Sequence, residues 1–348
     1  MIEGPSRTVV FIGPRELEVR DEAIRHLGAD DVALRTLYSG ISAGTEMNVF
    51  RGVAPQWTKV QDPVTGLFEE GSTPQWTYPL VYGYAAVSRV AAVGGQVSSP
   101  QVGDLVFSYT PHRSRSVVAA NDVVVLPPLN DLRVGVLVAN LNTALNGVLD
   151  AHPFLGDTVV VSGLGVIGLI VVQLMRRSGV SLIVGVDTVE RRRAAARQFG
   201  ADVVLDPSTD AVAKRVRALT DNRGADIVVE VSGASTALHE AIRTAGYGGR
   251  VVVMSWYGGT FEGLSLAGEF HHNRPKVIAS QVGGLNADLG PLWSMRRRMD
   301  FANELLVSLD LAPLLTHTVP VEDAARAYSL IDSADPDLIQ CVLSYEDL

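Results

Sequence analysis

The sequence predicts an α/β protein: a β-rich part drawn from both ends of the chain, and a doubly wound parallel sheet between them. Three observations predict it. Residues 1 to about 139 carry short alternating runs broken by turn signals such as "GGQVSSPQVGD" (94–104) and "LPPLND" (126–131). From about residue 157, strand-like runs alternate with helical patterns of 10–13 residues, the mark of a parallel sheet covered on both faces. The tail, from His317, returns to strand, helix and strand. The boundaries that follow are 1–139 with 282–348 for the β-rich part and 140–281 for the parallel sheet.

The elements follow in order. "DVALRTLY" (31–38) alternates as a strand, and the small residues of "SGISAGTE" (39–46) follow it with nothing large enough to build core. Residues 52–77 lack periodicity and hold three prolines and two tryptophans. They predict a long loop, a kind that is usually functional or disordered, whose tryptophans pack over something. "DTVVVSG" is then a buried strand and "VIGLIVVQLMRRSG" a helix ending at Gly179. "LIVGVD" is a strand, and "VERRRAAARQFG" a helix closed by Gly200. "ADVVLD" precedes a helix with Val212, Val216 and Leu219 on one face. "ADIVVEVSG" precedes the helix "STALHEAIRTAG", with Ser235 as its N-cap. "GRVVVMS" and "KVIASQ" complete the sheet. Right-handed crossovers between such strands give the doubly wound arrangement. In the tail helix, Ala324, Ala327, Tyr328 and Ile331 form the buried face.

Composition narrows the function classes. The chain has 348 residues, a net charge of −9 and no dense basic stripe, which argues against nucleic acid and anionic membranes as partners. The lone cysteine, Cys341, excludes a disulfide framework or a multi-cysteine metal cluster and fits a reducing cytosol. "MIEGPSRTVVF" has no basic segment followed by an apolar one, so no signal peptide is expected. Thr158 to Met175 is 18 residues without a charge, long enough to suggest a transmembrane helix. Glycines at 163, 165 and 168 interrupt it, so it reads as a buried strand, a tight turn and a buried helix.

That turn carries the chemistry. Gly163-Leu-Gly165-Val-Ile-Gly168 is G-x-G-x-x-G between a strand and a helix, and Asp187 ends the next strand 19 residues past Gly168. Gly163 permits the tight turn, Gly165 a close pyrophosphate, and Gly168 close packing of helix on sheet. The amides near Val166 and Ile167 then hold the phosphates. Asp187 accepts hydrogen bonds from the adenosine ribose and repels a 2′-phosphate, favouring NAD over NADP. Arg192, within Arg191 to Arg193, is placed to accommodate that phosphate.

"GLGVIG", "GVD…ERRR…FGAD", "DIVVEVSG" and "GRVVVM" stand at the spacing of a known family. Over nearly its whole length the chain resembles the medium-chain dehydrogenase/reductase superfamily, of the zinc alcohol dehydrogenase type. The resemblance implies a GroES-like β-rich catalytic domain with an inserted Rossmann domain. It also implies a departure. Zinc-dependent members read Gly-Ile-Cys-Gly-Thr-Asp where this chain reads "GISAGTE", with Ser42 or Ala43 in place of the thiol. Their Gly-His-Glu segment appears as Gly83-Tyr84-Ala85, and their third ligand falls near Ala139 or Asn140. The four-cysteine zinc lobe is absent, since "GDLVFSYTPHRSRSVV" runs past its place. Glu46 and His112 remain, short of the three ligands a catalytic zinc needs, so the chain reads as a zinc-free member.

The resemblance assigns roles residue by residue. Thr45 contacts the substrate oxygen and relays its proton. Tyr84, at the lost histidine position, points its phenol at that oxygen. Glu46 matches the acid beside the metal and either bonds an Arg or a substrate hydroxyl or holds structure. His112 is a general acid/base or a surface-loop histidine, and His271 and His272 shape a loop. Thr143 packs behind the nicotinamide, and Ser232, Gly233 and Ser255 line the cofactor. Ser280 and Val282 meet the carboxamide through backbone groups. The function expected is zinc-independent, NAD(H)-linked interconversion of an alcohol and a ketone on a small molecule, with a likeness to members in specialised metabolism. A cytoplasmic homo-oligomer, dimer or tetramer, is expected, paired near "GRVVVMSWYGG". The alternatives are NADPH-dependent C=C reduction, which "GISAGTE" and Asp187 count against, and a dinucleotide-binding relative without catalysis.

Overall fold

The computed structural model describes residues 4–70, 74–258 and 263–346. The chain forms two compact units, Met1–Ala139 with Ala312–Leu348, and Asn140–Leu311. Residues 282–311, assigned above to the β-rich part, therefore pack with the second unit. The cause is visible in that unit's interior. Ala302, Leu305 and Arg298 are buried there, and Gln173 bonds the backbone of Asp310 in both directions, at 3.0 Å each.

In the first unit, the strand Asp31–Gly40 is the centre of the larger sheet. One side pairs with Ala86–Val93 along most of its length. The other pairs with Arg115–Ala119 over its first half and with Cys341–Ser344 at its end. Covered on both edges, it is buried at nearly every position, more than simple alternation implies. The tail strand His317–Pro320 extends the sheet in parallel beside Cys341–Ser344. A smaller sheet joins Glu16–Glu22, Ser6–Gly13 and Leu80–Val81. Between the tail helix Ala324–Asp332 and the short helix Thr45–Phe50, Tyr328 meets Phe11 and Phe50 at ring distances of 5.4 and 5.1 Å. The tail helix buries Ala324, Ala327, Tyr328 and Ile331.

Residues 52–77 are more ordered than their lack of periodicity implies. Pro55–Trp57 is a turn of 3₁₀ helix, and Lys59–Gln61 pairs antiparallel with Phe68–Glu70. The Asp62 carboxylate accepts the amides of Val64 and Thr65 at 2.7 and 2.8 Å. This side-chain turn closes the hairpin without needing any apolar alternation. Residues 71–73, within that stretch, lie outside the described residues.

The second unit holds a six-stranded parallel sheet. Its order is Val203–Leu205, Leu182–Val186, Thr158–Ser162, Ala225–Glu230, Ala245–Val253 and Lys276–Ala279. The chain runs outward from Thr158–Ser162 in one direction and then, from Ala225, in the other. The reversal leaves a crevice at the carboxyl ends of those two central strands, where such sheets bind ligands. Apolar β-branched residues fill the central strands because both faces are covered. The apolar stretch from Thr158 is the strand Thr158–Ser162 and the helix Val166–Arg177, as expected. The helical run Leu132–Ala151 has the length and apolarity to cross a membrane, but 72% of that window is buried in the fold, as in a core helix. Ser235 is the first helical residue, not the cap: Ala234, in extended conformation, holds the cap position of Ser235–Thr244. The Ser232 hydroxyl accepts the Ala234 amide at 3.1 Å, so the turn is closed three residues earlier than expected.

Candidate active site

The segment "SGISAGTE" leaves the central strand of the first unit and enters the helix Thr45–Phe50. Its small residues let the chain turn over a buried acid. Glu46 and His112 are both 0% exposed, and Glu46 Oε2 lies 2.7 Å from His112 Nε2. The Tyr328 hydroxyl donates to the same carboxylate at 2.8 Å, and the Ser42 amide donates to its other oxygen at 2.9 Å. On the far side of the imidazole, Ser39 Oγ lies 2.7 Å from Nδ1, and Tyr345 OH is 3.0 Å from that Oγ. A buried carboxylate is tolerable only when its oxygens are satisfied, and here three donors converge on it. Gly83 makes the histidine's seat: a Cβ there would stand 2.6 Å from the His112 ring.

Above this network is a cluster of hydroxyls. The Tyr84 phenol is hydrogen-bonded by the side chains of Ser42 and Thr45. Burial, and then the Glu46 carboxylate, push that phenol well above the usual tyrosine range, so it carries its proton at neutral pH and can donate. Thr45 and Tyr84 are partly exposed, unlike the pair beneath them. An aromatic wall continues from Tyr84. Tyr82 lies 6.2 Å from it, Trp76 5.5 Å from Tyr82, and Trp57 stacks on Tyr78 at 4.2 Å. The tryptophans of 52–77 thus pack in a row that ends at the hydroxyl cluster.

The second unit's polar centre is built from backbone. Gly163 has φ +98°, and a Cβ there would lie 2.6 Å from the Ser232 backbone. A Cβ on Gly168 would lie 1.9 Å from the Gly163 carbonyl oxygen, so only glycine lets the helix seat on the turn. Gly165 differs from both. It caps the helix Val166–Arg177, and a Cβ there would meet nothing within 4 Å. That is an open cradle over the first-turn amides, which have no partners within a helix, and it fits the pyrophosphate of a nicotinamide dinucleotide. Asp187 closes the turn. Its carboxylate accepts the amides of Leu164 and Val189 at 2.8 Å each. A carboxylate has about four acceptor sites, more than these two amides fill. Arg192 stands 3.9 Å from that carboxylate, whereas Arg193 is committed to Glu190 and Asp206.

Ser232, Gly233, Ser255 and Ser280 follow the carboxyl ends of strands of this sheet. Ser232 donates through its amide and hydroxyl to Glu230, and Ser255 Oγ accepts the Gly233 amide at 2.9 Å. Ser280 follows the last strand, and its hydroxyl accepts from Asn146, one turn beyond Thr143 on the helix Val138–Ala151. Val282 gives its carbonyl to Arg298. His271 and His272 sit on the short exposed helix Glu269–Asn273. His112 is not on a surface loop and Glu46 binds no arginine in the cluster; they hold one another. Sequence reading missed Ser39 and Tyr345 altogether, and treated Tyr328 as core alone. A buried tyrosine needs a partner for its hydroxyl, and that was the available signal.

Residues 166–295 match the zinc-binding dehydrogenase family. D-guloside 3-dehydrogenase of Escherichia coli K12 is 29% identical over 92% of this chain and 95% of that protein. A putative zinc-binding dehydrogenase from Sinorhizobium meliloti, solved with NADP, superposes with TM-score 0.77 at 19% identity, covering 98% of this chain and 100% of that one. An alcohol dehydrogenase from Escherichia coli CFT073, solved with NADH, gives 0.77 at 19%, covering 99% and 100%. The fold is that of the medium-chain dehydrogenases. It joins a GroES-like unit to a Rossmann unit, and the similarities support that superfamily for the chain. The zinc of such proteins does not fit the residues present. Ser42, Ala43, Tyr84 and Ala85 supply no thiol or imidazole, and Glu46 and His112 are spent on each other. Among the described residues no three His, Cys, Asp or Glu are grouped to hold a metal ion.

Proposed function

We propose that the chain is an NAD(H)-linked oxidoreductase that interconverts a secondary alcohol and a ketone on a small molecule without a catalytic zinc. The observation that carries this reading is the Tyr84 phenol, bonded by Ser42 and Thr45 above the enclosed Glu46–His112 pair. Nicotinamide, when bound, accepts or returns the hydride. The protein's part is charge and position. As a ketone is reduced, negative charge grows on its oxygen, and Tyr84 and Thr45 are the donors that meet it. One well-placed donor contributes about 3–4 kcal/mol to such a transition state, so two hydroxyls replace much of what a metal would supply. Thr45 also carries the alcohol's proton away in the oxidative direction. Glu46 and His112 stay behind the reacting groups and fix the turn that aims them.

NAD is the cofactor proposed: an acid at the end of the second strand, Asp187, supports it, since its charge would repel a 2′-phosphate. The relative that acts on D-gulosides supports a secondary hydroxyl on a sugar-like ring as substrate. The aromatic wall supports it too, offering flat faces for the apolar side of such a ring. A cytoplasmic homo-oligomer belongs to the same proposal.

The test is a fluorescence titration with NADH and NADPH in parallel, followed by NAD-linked oxidation of a panel of secondary alcohols and glycosides. NADH binding about tenfold or more tighter than NADPH, with turnover of a secondary alcohol, is the expected result. Preference for NADPH together with reduction of an enone would replace it with C=C reduction.

A further inference from the structure

We propose that Arg298 is a positioning residue for the nicotinamide half of the cofactor, an inference that rests on the dinucleotide reading of the second unit. Arg298 is 0% exposed. A buried guanidinium is costly unless its donors are met. Here they are met by neutral oxygens on two separate segments. On the helix Val138–Ala151, Arg298 donates to Asn142 Oδ1 at 2.8 Å and to Asn146 Oδ1. On the loop after the last strand, it donates to the Gly284 carbonyl at 2.9 Å and to the Val282 carbonyl. Asn146 continues the link, donating to Ser280 Oγ at 3.0 Å and to Asp150 at 2.9 Å.

One side chain therefore joins the helix that carries Thr143 to the loop that carries Ser280 and Val282. Those are the residues that the family resemblance gives to the nicotinamide ring and its carboxamide, and Ser280 follows the carboxyl end of a sheet strand, where such sheets bind ligands. The adenosine half is assigned elsewhere, to Gly163–Gly168 and Asp187. An apolar residue would fill the same volume without the desolvation cost. Only a planar fork with several fixed donors can hold two carbonyls of a glycine-containing loop in one orientation. Each carbonyl it turns inward also fixes the direction of the following amide, because the peptide unit is planar. Arg298 thus shapes the loop before the cofactor arrives.

ADP-ribose, which lacks the nicotinamide, separates this role from a structural one. Affinities for NADH and for ADP-ribose are measured on wild-type protein and on Arg298→Lys, with thermal melts as a check on folding. The expected result is ADP-ribose binding within about twofold of wild type and NADH binding weakened about tenfold, with loss of the blue shift of bound NADH emission. Equal weakening of both ligands, or no change in either, would overturn the proposal. If Arg298→Lys does not fold, Asn142→Ala removes the bond from Arg298 Nε to the helix, and the same ratio is read. Wild-type protein that binds neither ligand would overturn the dinucleotide reading itself, and this inference with it.

Discussion

The two polar centres are built on opposite plans. In the second unit the centre is built of backbone, placed by glycines whose missing Cβ atoms leave room for the helix and the strand end or, at Gly165, leave open space. In the first unit the centre is built of side chains: a cluster of hydroxyls beside a fully buried acid–histidine pair that Tyr328 and Ser39 bond from distant segments. The first plan is a property of spacing, so it is kept wherever the glycines are kept. The second depends on side-chain chemistry, and here a serine and a tyrosine, not a thiol and an imidazole, stand at Ser42 and Tyr84. The difference is one of construction: the second unit's centre follows from local glycine spacing, and the first unit's centre follows from side chains that only tertiary folding brings together.

The comparison breaks most readily at its buried acid. Glu46→Ala leaves the Ser42 amide, His112 and the Tyr328 hydroxyl without their shared acceptor. At about 1–3 kcal/mol for each unsatisfied buried group, denaturant unfolding is expected to show a loss of about 3 kcal/mol or more. Tyr84→Phe comes next. It removes one donor to the reacting oxygen, and steady-state kinetics are expected to show kcat lower by about 10²-fold with the fold intact. Gly165→Ala sharpens the contrast from the other unit. The added methyl meets nothing within 4 Å in the protein, so the melting temperature should hold, while NADH binding weakens about tenfold because the methyl enters the pyrophosphate's place. Asp187→Ser is expected to move the NADH:NADPH affinity ratio toward NADPH by a smaller factor, since it removes the charge that repels a 2′-phosphate.

The smallest effect concerns Asp150, whose pKa is raised, chiefly by burial. A carboxyl with a raised folded-state pKa contributes stability below its unfolded pKa and loses it as pH rises through the folded value. Asp150→Asn should therefore match wild type in acid and be the more stable protein at neutral pH, as read from unfolding curves across that range.

The legibility of the two centres followed the same division. Gly163, Gly165, Gly168 and Asp187 lie within 25 residues of one another and declare themselves by spacing alone. The doubly wound parallel sheet follows from the alternation of strands and helices around them. The hydroxyl cluster comes from residues 39–46, 84, 112, 328 and 345, joined only by tertiary folding. Thr45, Tyr84, Glu46 and His112 could be named through the family resemblance, but not the fact that two of them face each other in the core. Arg298 gave no sign at all: in "MRRRMD" it is one arginine of three, and only the packing of its helix distinguishes it from Arg296 and Arg297. The boundary near 281 was misplaced for the same reason, since residues 282–311 join the second unit through contacts that no local pattern announces.

The most direct test asks whether the hydroxyls do the work of a metal. Protein is stripped with a strong chelator, its zinc content is measured, and NAD-linked turnover of the best secondary alcohol from the panel is followed for wild type and Tyr84→Phe. Wild-type turnover that persists at substoichiometric zinc and falls about 10²-fold in Tyr84→Phe is the expected result. Activity that vanishes on stripping and returns with added zinc, or that is indifferent to Tyr84, would contradict it.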